Sequence, residues 1–244
     1  MRVYPVKVLL LGLVLLLSHN RILAAITPPP VSWQPEYTAK ILVFKDQTAD
    51  VGHDFTEYAK ARVSYLNSVL KRSRANIKVH LIGAIPITMR TFKNAEDFMS
   101  DGYVREMKQK LGADIAFLFA ELDFGISRCG LGVVTNSNKD AFSIGRAGYW
   151  LCLSGDTFVH EVGHNLGLTH TYSDRKDDLY ASGYGTFFWV TMMSYSLQHG
   201  GLITKHVFSN PALSCDKFYQ CGDETLADAV RFINDNADRF TRNY

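Results

Sequence analysis

The sequence lacks the features that mark several large classes of protein. It contains no internal repeat and no low-complexity tract, which excludes solenoid and disordered chains. Its formal net charge of +2 is too small to indicate a partner such as nucleic acid or an anionic membrane. The 244 residues, 47% of them hydrophobic, are typical of one sizeable globular domain or of two lobes that share a core.

Long apolar runs are also scarce, and the one that stands out lies near the amino terminus. Residues 8–17 are apolar, Arg2 and Lys7 precede them, and Ala24-Ala25 follows. The run is too short for an ordinary membrane span but suits the core of a secretory signal. We therefore predict a signal peptide at residues 1–25, secretion to the periplasm or the medium, and no stable membrane association after cleavage. An uncleaved anchor is the alternative, because residues 18–21 are polar and Leu23 fits the cleavage site poorly.

Cysteine is rare, and no two cysteines form a CxxC pair. That spacing argues against a cysteine zinc site and against a thioredoxin-like redox centre. The four cysteines all follow the predicted signal peptide, so we expect two disulfides. Three pairings are possible, and we favour Cys129–Cys152 with Cys215–Cys221 because each pair brackets one local unit. The alternative is that some of them stay free as small buried hydrophobic residues.

After a proline-rich linker at residues 26–38, the sequence predicts an α/β (α+β) domain at residues 39–244. The nearly all-apolar stretch 114–122 is typical of a strand buried on both faces of a mostly parallel sheet. The glycine-rich stretch 129–134 indicates an antiparallel edge strand. We divide the domain into a sheet-containing part, 39–167, and a smaller irregular part, 168–244. The remaining predictions are strands at 39–46 and 77–87, a strand plus a connection at 141–152, helices at 54–73, 95–111 and from 154 onward, irregular loops at 172–205, and a final amphipathic helix at 225–240.

Three of the eight histidines lie within "HEVGHNLGLTH", residues 160–170. On a helix, His160 and His164 share one face, so both imidazoles can bind one ion. Gly167 can end that helix in a left-handed conformation and bring His170 back toward the same ion. Three neutral nitrogens plus water form the open coordination of a catalytic zinc, and Glu161 lies close enough to contact the water. The segment therefore predicts one catalytic Zn²⁺, whereas no pattern indicates calcium.

These residues resemble the metzincin clan of zinc metallopeptidases, whose signature is HExxHxxGxxH followed by a methionine-bearing turn. The stretch "TMMSYS", residues 191–196, stands where the clan has that turn. The resemblance implies that Met193 forms an apolar floor under the metal. It further implies that Tyr195 binds the metal or stabilises the oxyanion, as the equivalent tyrosine does in astacin-like and serralysin-like enzymes.

The amino-acid sequence of the motif resembles that of the reprolysin-type branch of the clan. Cys129-Gly130, Cys152 and "FSNP" at 208–211 resemble a bacterial subgroup that includes peptidyl-Asp metalloendopeptidases. Thr171 stands where reprolysins usually have aspartate, and the linker has no cysteine for a matrix-metallopeptidase type of latency switch. If Lys205 and His206 line the pocket beyond the scissile bond, they would favour an acidic substrate residue.

The resulting hypothesis is a secreted, monomeric zinc metalloendopeptidase that hydrolyses protein or peptide substrates. Zinc at the three histidines is expected to lower the pKa of its water to around 7 and to polarise the scissile carbonyl. Glu161 would take the proton of that water, and Tyr195 would donate a hydrogen bond to the oxyanion. The alternatives are a secreted zinc-binding or adhesion module on a peptidase scaffold, and a toxin-like protease with one narrow target.

Overall fold

The structure is a computed structural model that describes residues 32–52, 54–121, 129–135, 137–147, 152, 154–170, 180–195 and 203–241. The predicted signal peptide and residues 26–31 of the linker lie outside these ranges. Within the described residues, no helix combines the length and the apolar character needed to cross a membrane.

Five strands form the central sheet: β1 Tyr37–Asp46, β2 Ile77–Ile87, β3 Ile115–Phe119, β4 Gly130–Gly132 and β5 Phe142–Gly145. Their order across the sheet is β2-β1-β3-β5-β4. The first four strands in this order are parallel, and β4 pairs with β5 in the antiparallel direction at the edge. The predicted α/β class, with a mostly parallel sheet and an antiparallel edge strand, is confirmed.

Helices cover both faces of this sheet because successive side chains of a strand point to opposite faces. Ile41 and Val43 pack with residues of α1 (Phe55–Ser73) and α4 (Ser154–Asn165). Leu42 and Phe44 pack on the other face against α2 (Ala95–Ser100) and α3 (Gly102–Lys110). The candidate histidines of α4 therefore lie on the face that also carries α1.

The helix predicted at residues 95–111 is wrong as a single element, since it is divided into α2 and α3 at Asp101. Asp101 has extended backbone angles, φ −64° and ψ 124°, and its side chain accepts a hydrogen bond from the Val104 N–H. Aspartate followed by glycine favours an N-cap over a helix interior, because its short side chain competes for backbone donors.

The predicted final helix, residues 225–240, is also too long. It consists of α5 (Ala229–Asp235) and a 3₁₀ helix (Ala237–Phe240). The Asp223 carboxylate accepts hydrogen bonds from the N–H groups of Thr225 and Leu226, which holds that stretch in a turn. Asp228 then caps α5 through the Arg231 N–H.

The carboxy-terminal part contains four short strands that the sequence analysis did not predict. Strands β6 (Trp189–Thr191) and β7 (Ile203–Lys205) form a parallel pair, and β8 (Asn210–Ser214) pairs with β9 (Gln220–Cys221) in the antiparallel direction. Strands β6 and β7 fall inside the stretch 172–205 that was predicted to be irregular. Residues 171–179 and 196–202 of that region lie outside the described ranges.

Both favoured disulfides, Cys129–Cys152 and Cys215–Cys221, are present. At the start of the domain, Tyr37 and Thr38 already belong to β1, so the predicted linker extends two residues too far. The indole N–H of Trp33 donates to Ala75 O at 2.8 Å, which places part of the linker against the end of α1.

Candidate metal centre

Helix α4 packs its apolar side into the core and carries two of the candidate histidines. Phe158, Val159 and Val162 are fully buried, whereas His160 is half-buried. The helix ends as Gly167 takes φ +79°, with the Gly167 N–H bonded to His164 O and the Leu168 N–H to Gly163 O. This left-handed turn, which costs glycine little, brings His170 back beside the two helical histidines.

The three imidazoles converge on one point. His170 Nε2 lies 3.0 Å from His160 Nε2 and 3.0 Å from His164 Nε2. Two nitrogens bound to one tetrahedral zinc at about 2.0 Å are separated by ~3.3 Å, so this spacing fits a single ion. Within the described residues, these three side chains form the one group of histidines, cysteines or carboxylates that could hold a metal.

Backbone carbonyls set the tautomer of the two helical histidines. His160 Nδ1 lies 2.8 Å from Met192 O, and His164 Nδ1 lies 2.8 Å from Leu168 O. A carbonyl can only accept, so each Nδ1 carries the hydrogen and each Nε2 directs a lone pair into the cluster. Converging lone pairs repel unless a cation lies between them, which is the donor chemistry that a metal requires.

Burial keeps His160 neutral and therefore able to bind a metal. Burial and the neighbouring His170 lower the pKa of His160 to about 4, although the hydrogen bond to Met192 O acts in the opposite direction. Because only a neutral imidazole has a lone pair to donate, the site favours the state that a metal ion needs.

Glu161 points from α4 toward the edge strand and is only 6% exposed. Burial raises the pKa of the Glu161 carboxyl to about 8, and a hydrogen bond from the Gly132 N–H opposes this rise. A Cβ atom added to Gly130 would lie 2.7 Å from Glu161 Cγ, and one added to Gly132 would lie 2.5 Å from Glu161 O. The two glycines of β4 thus permit the close approach of the strand to α4.

A buried amide fixes α4 to the sheet one turn beyond Glu161. The Asn165 side-chain amide donates to Val133 O and Phe142 O, each at 3.0 Å. Ser143 Oγ lies 2.5 Å from Asn165 Oδ1 and 3.0 Å from Glu161 O. Sequence reasoning missed this pair, although an asparagine directly after the second histidine on a helix is a polar residue that needs an explanation.

The predicted methionine turn lies directly beneath the histidines. Met193 is fully buried, and its Sδ would be 2.5 Å from a Cβ atom at Gly163, between the two helical histidines. Tyr195 is 44% exposed, and its hydroxyl lies 2.8 Å from His170 Nε2. The structure therefore brings all six predicted site residues together: His160, Glu161, His164, His170, Met193 and Tyr195.

Residues 56–171 match the family described as Metallo-peptidase family M12B Reprolysin-like. In this region the chain resembles a reprolysin-like metallopeptidase domain. The matched residues include the three histidines and Glu161 and end before Met193 and Tyr195.

Two further proteins are similar to this chain. The chain is 28% identical over 223 residues to a peptidyl-Asp metalloendopeptidase of Pseudomonas aeruginosa, covering 78% of this chain and 37% of that relative. A solved structure described as a chaperone-substrate complex matches with a TM-score of 0.65 at 24% identity, covering 84% of this chain and 38% of the other. The latter likeness concerns the fold alone. The chain thus spans less than two-fifths of the length of either protein.

The two basic residues at the end of β7, Lys205 and His206, contact neighbouring side chains. Lys205 Nζ lies 5.9 Å from the centre of the Trp189 ring. His206 Nδ1 lies 2.7 Å from the Tyr65 hydroxyl and 3.3 Å from the Asp156 carboxylate. His206 therefore joins the start of α4 to α1, while a preference for acidic substrates stays a prediction.

Proposed function

We propose that this reprolysin-like domain is a secreted, zinc-dependent metalloendopeptidase. The observation that carries the proposal is the convergence of three histidine nitrogens beside a buried carboxyl, with a tyrosine hydroxyl 2.8 Å from the third histidine. Zinc binding alone would need neither Glu161 nor Tyr195, so their position beside the histidines favours an enzyme over a binding module. The two disulfides support export.

His160, His164 and His170 are proposed to hold the ion. A bound zinc supplies the Lewis acidity that polarises a carbonyl and acidifies water. The Nδ1–H···O bonds to Met192 and Leu168 keep two of the rings oriented for this task.

Glu161 is the proposed general base. Its carboxyl lies against the glycines of β4. We expect it to accept a proton from the attacking water and to deliver it to the leaving amine. The raised pKa, about 8, suits this exchange because a proton-shuttling group works best when its pKa lies near the working pH.

Tyr195 is the proposed oxyanion donor. Its side chain is exposed, and its hydroxyl lies 2.8 Å from His170 Nε2, close to where the proposed ion would be held. Loss of one such donor typically costs about 2.7–4 kcal/mol of transition-state stabilisation. We expect a substrate strand to add to the edge strand β4 through main-chain hydrogen bonds.

The test is cleavage of a diverse peptide library by the purified mature protein, beside Glu161→Gln and a chelator-treated sample. We expect cleavage that the chelator abolishes, and we expect Glu161→Gln to retain zinc while losing at least about 10³-fold in rate. Cleavage beside aspartate would show that this chain shares the specificity stated in the name of the Pseudomonas relative. Substantial turnover by Glu161→Gln would remove Glu161 as the base.

Two other outcomes separate the alternatives. Bound zinc with no cleavage of the library, but cleavage of one protein by the wild type alone, would indicate the narrow-target protease. Bound zinc with no cleavage of any substrate would leave the binding module.

A further inference from the structure

A second site lies on the opposite face of the sheet from the metal centre. Phe142 and Ser143 are neighbours on β5, so their side chains point to opposite faces. Ser143 contacts α4, whereas Phe142 packs with the α2–α3 layer. Beside Phe142 there is a cavity of about 320 Å³, here named the Phe142 cavity, lined by Arg105, Lys108, Gln109, Lys139 and Phe142.

Three of the five residues that line the Phe142 cavity are cations, and none is acidic. Arg105 Cζ lies 5.5 Å and Lys108 Nζ lies 5.4 Å from the centre of the Phe142 ring. Lys139 comes from a separate element, the 3₁₀ helix Asn138–Asp140, and completes the set. The fold therefore brings positive charges from two elements to one concave surface, which is electrostatically complementary to an anion.

Local structure accounts for only part of this charge. Lys108 stands in the last turn of α3, where a cation complements the helix dipole, and its Nζ donates to Asn138 O at 2.6 Å. Arg105 lies in the first half of the helix, where a cation does not complement the helix dipole. Within the described part of the chain, the side chains of Arg105 and Lys139 form no ion pair, while Arg105 Nε is fixed on Met99 O at 2.6 Å.

We propose that the Phe142 cavity binds a small oxyanion of the phosphate or sulfate type. The cavity is lined by a guanidinium, two ammonium groups and the Gln109 amide, which belong to two elements of the fold. Such donors match the several acceptor oxygens that an oxyanion carries on one centre. A volume of about 320 Å³ has room for such a group together with part of a small molecule that carries it. Lys108 is only 5% exposed, so a small ion reaches it more readily than a bilayer headgroup does.

The test is equilibrium dialysis of the full chain against labelled inorganic phosphate at constant ionic strength. The double variant Arg105→Gln/Lys139→Gln is compared with Lys78→Gln/Lys93→Gln, which removes two exposed lysines elsewhere. We expect saturable binding by the wild type and the control, and affinity at least about tenfold weaker per removed charge in the first variant. Lys139→Glu should abolish binding, and sulfate should compete with phosphate.

Three results would overturn the proposal. One is no saturable binding at phosphate concentrations on the order of 10 mM. Another is unchanged affinity in Arg105→Gln/Lys139→Gln, which would place the phosphate elsewhere, for instance at the metal centre. A third is binding to phosphatidylglycerol vesicles without binding to inorganic phosphate, which would identify a membrane surface as the partner.

Discussion

Glu161 is a buried carboxyl whose hydrogen-bond donor is a backbone N–H and which has no cation beside it among the described residues. Such a group is disfavoured in its charged form, because burial removes the water that would otherwise stabilise the charge. Ionisation of Glu161 therefore lowers the stability of the folded state. The proposed mechanism uses the same raised pKa. Catalytic groups commonly reduce stability in this way.

Glu161→Gln should stabilise the metal-free protein at alkaline pH. The folded state holds the Glu161 proton up to a pKa of about 8, while the unfolded chain releases it near its ordinary value of 4.5. Between these values the folded state binds more protons, so the contribution of Glu161 to stability falls as pH rises. We expect the Tm difference between Glu161→Gln and wild type to grow from pH 5 to pH 8 and to reach about 2–4 °C or more.

The measurement is thermal unfolding of both proteins after chelation, across that pH range. Comparison of the two proteins cancels the titration of His160, which is present in both. A Tm difference that does not change with pH would show that Glu161 is charged at an ordinary pKa.

Gly130→Ala should damage catalysis more than metal binding. The added methyl would lie 2.7 Å from Glu161 Cγ and 2.8 Å from Glu161 Oε1, so the carboxyl must move. A displacement of about 1 Å at a catalytic group can cost about 10²-fold in rate. We expect kcat to fall at least tenfold with bound zinc retained, as measured by peptide hydrolysis and metal analysis.

Gly102→Ala is the matched control, because a Cβ atom there meets nothing within 4 Å. It should leave kcat and zinc content unchanged. Equal losses in both variants, or full activity in Gly130→Ala, would mean that the close approach of β4 does not position Glu161.

At the scale of elements, α4 is held to the edge of the sheet by polar contacts as well as by its apolar face. Asn165 is fully buried, and it joins α4 to the backbone on both sides of the β4–β5 ladder. These bonds fix the height of the helix relative to the edge strand. The position of the candidate metal-binding histidines therefore depends on Asn165, although the Asn165 amide contacts none of them.

Asn165→Ala should destabilise the whole domain. It removes the partner of Val133 O, and it leaves Phe142 O and Ser143 Oγ with one remaining hydrogen bond each, to the Val133 N–H and to Glu161 O. A buried group that loses its partner costs about 1–3 kcal/mol. We expect a loss of about 2–4 kcal/mol in the free energy of unfolding by denaturant titration. Asn67→Ala, which removes the same side chain between α1 and β2, is the comparison for a partly exposed amide. A loss no larger than in Asn67→Ala would show that water replaces the missing bonds.

Long elements with a clear period were predictable, and short ones were not. The bounds 77–87 of β2 coincide with the prediction, and α1 begins one residue after the predicted 54, because Asp54 caps the helix. Strands β6 to β9 have two to five residues each, too few for alternation to be visible. The division of 95–111 and the short final helix follow from capping by Asp101 and Asp228, which compete with helical propensity.

The same distinction holds at the candidate site. The spacing of the histidines and the methionine turn identified six side chains that the fold brings together. The Gly132 N–H and the carbonyls of Met192 and Leu168 were not predictable, since a backbone group can be supplied by any residue type. Only the three-dimensional path of the chain determines where such groups lie.

At the scale of the whole molecule, the two predicted parts share one core. The buried cluster that contains Phe158 of α4 also contains Phe208 and Ile233 from the carboxy-terminal part. Ser73, at the end of α1, binds the segment that contains Phe208: Ser73 Oγ accepts from the Phe208 N–H, and Ser73 O accepts from the Asn210 side-chain amide. The hydrogen bond between His160 Nδ1 and Met192 O connects α4 with the methionine turn, so the site is incomplete unless the carboxy-terminal part is folded against the sheet.

The most direct test of the account is a zinc titration of chelator-treated protein, followed by hydrolysis of a peptide that the untreated protein cleaves. Three converging histidines predict that metal removal abolishes hydrolysis and that activity returns in proportion to added zinc, up to one ion per chain. His164→Ala should bind zinc weakly and should not recover. Full activity in the metal-free protein, or tight binding of one zinc that restores none, would contradict the central claim.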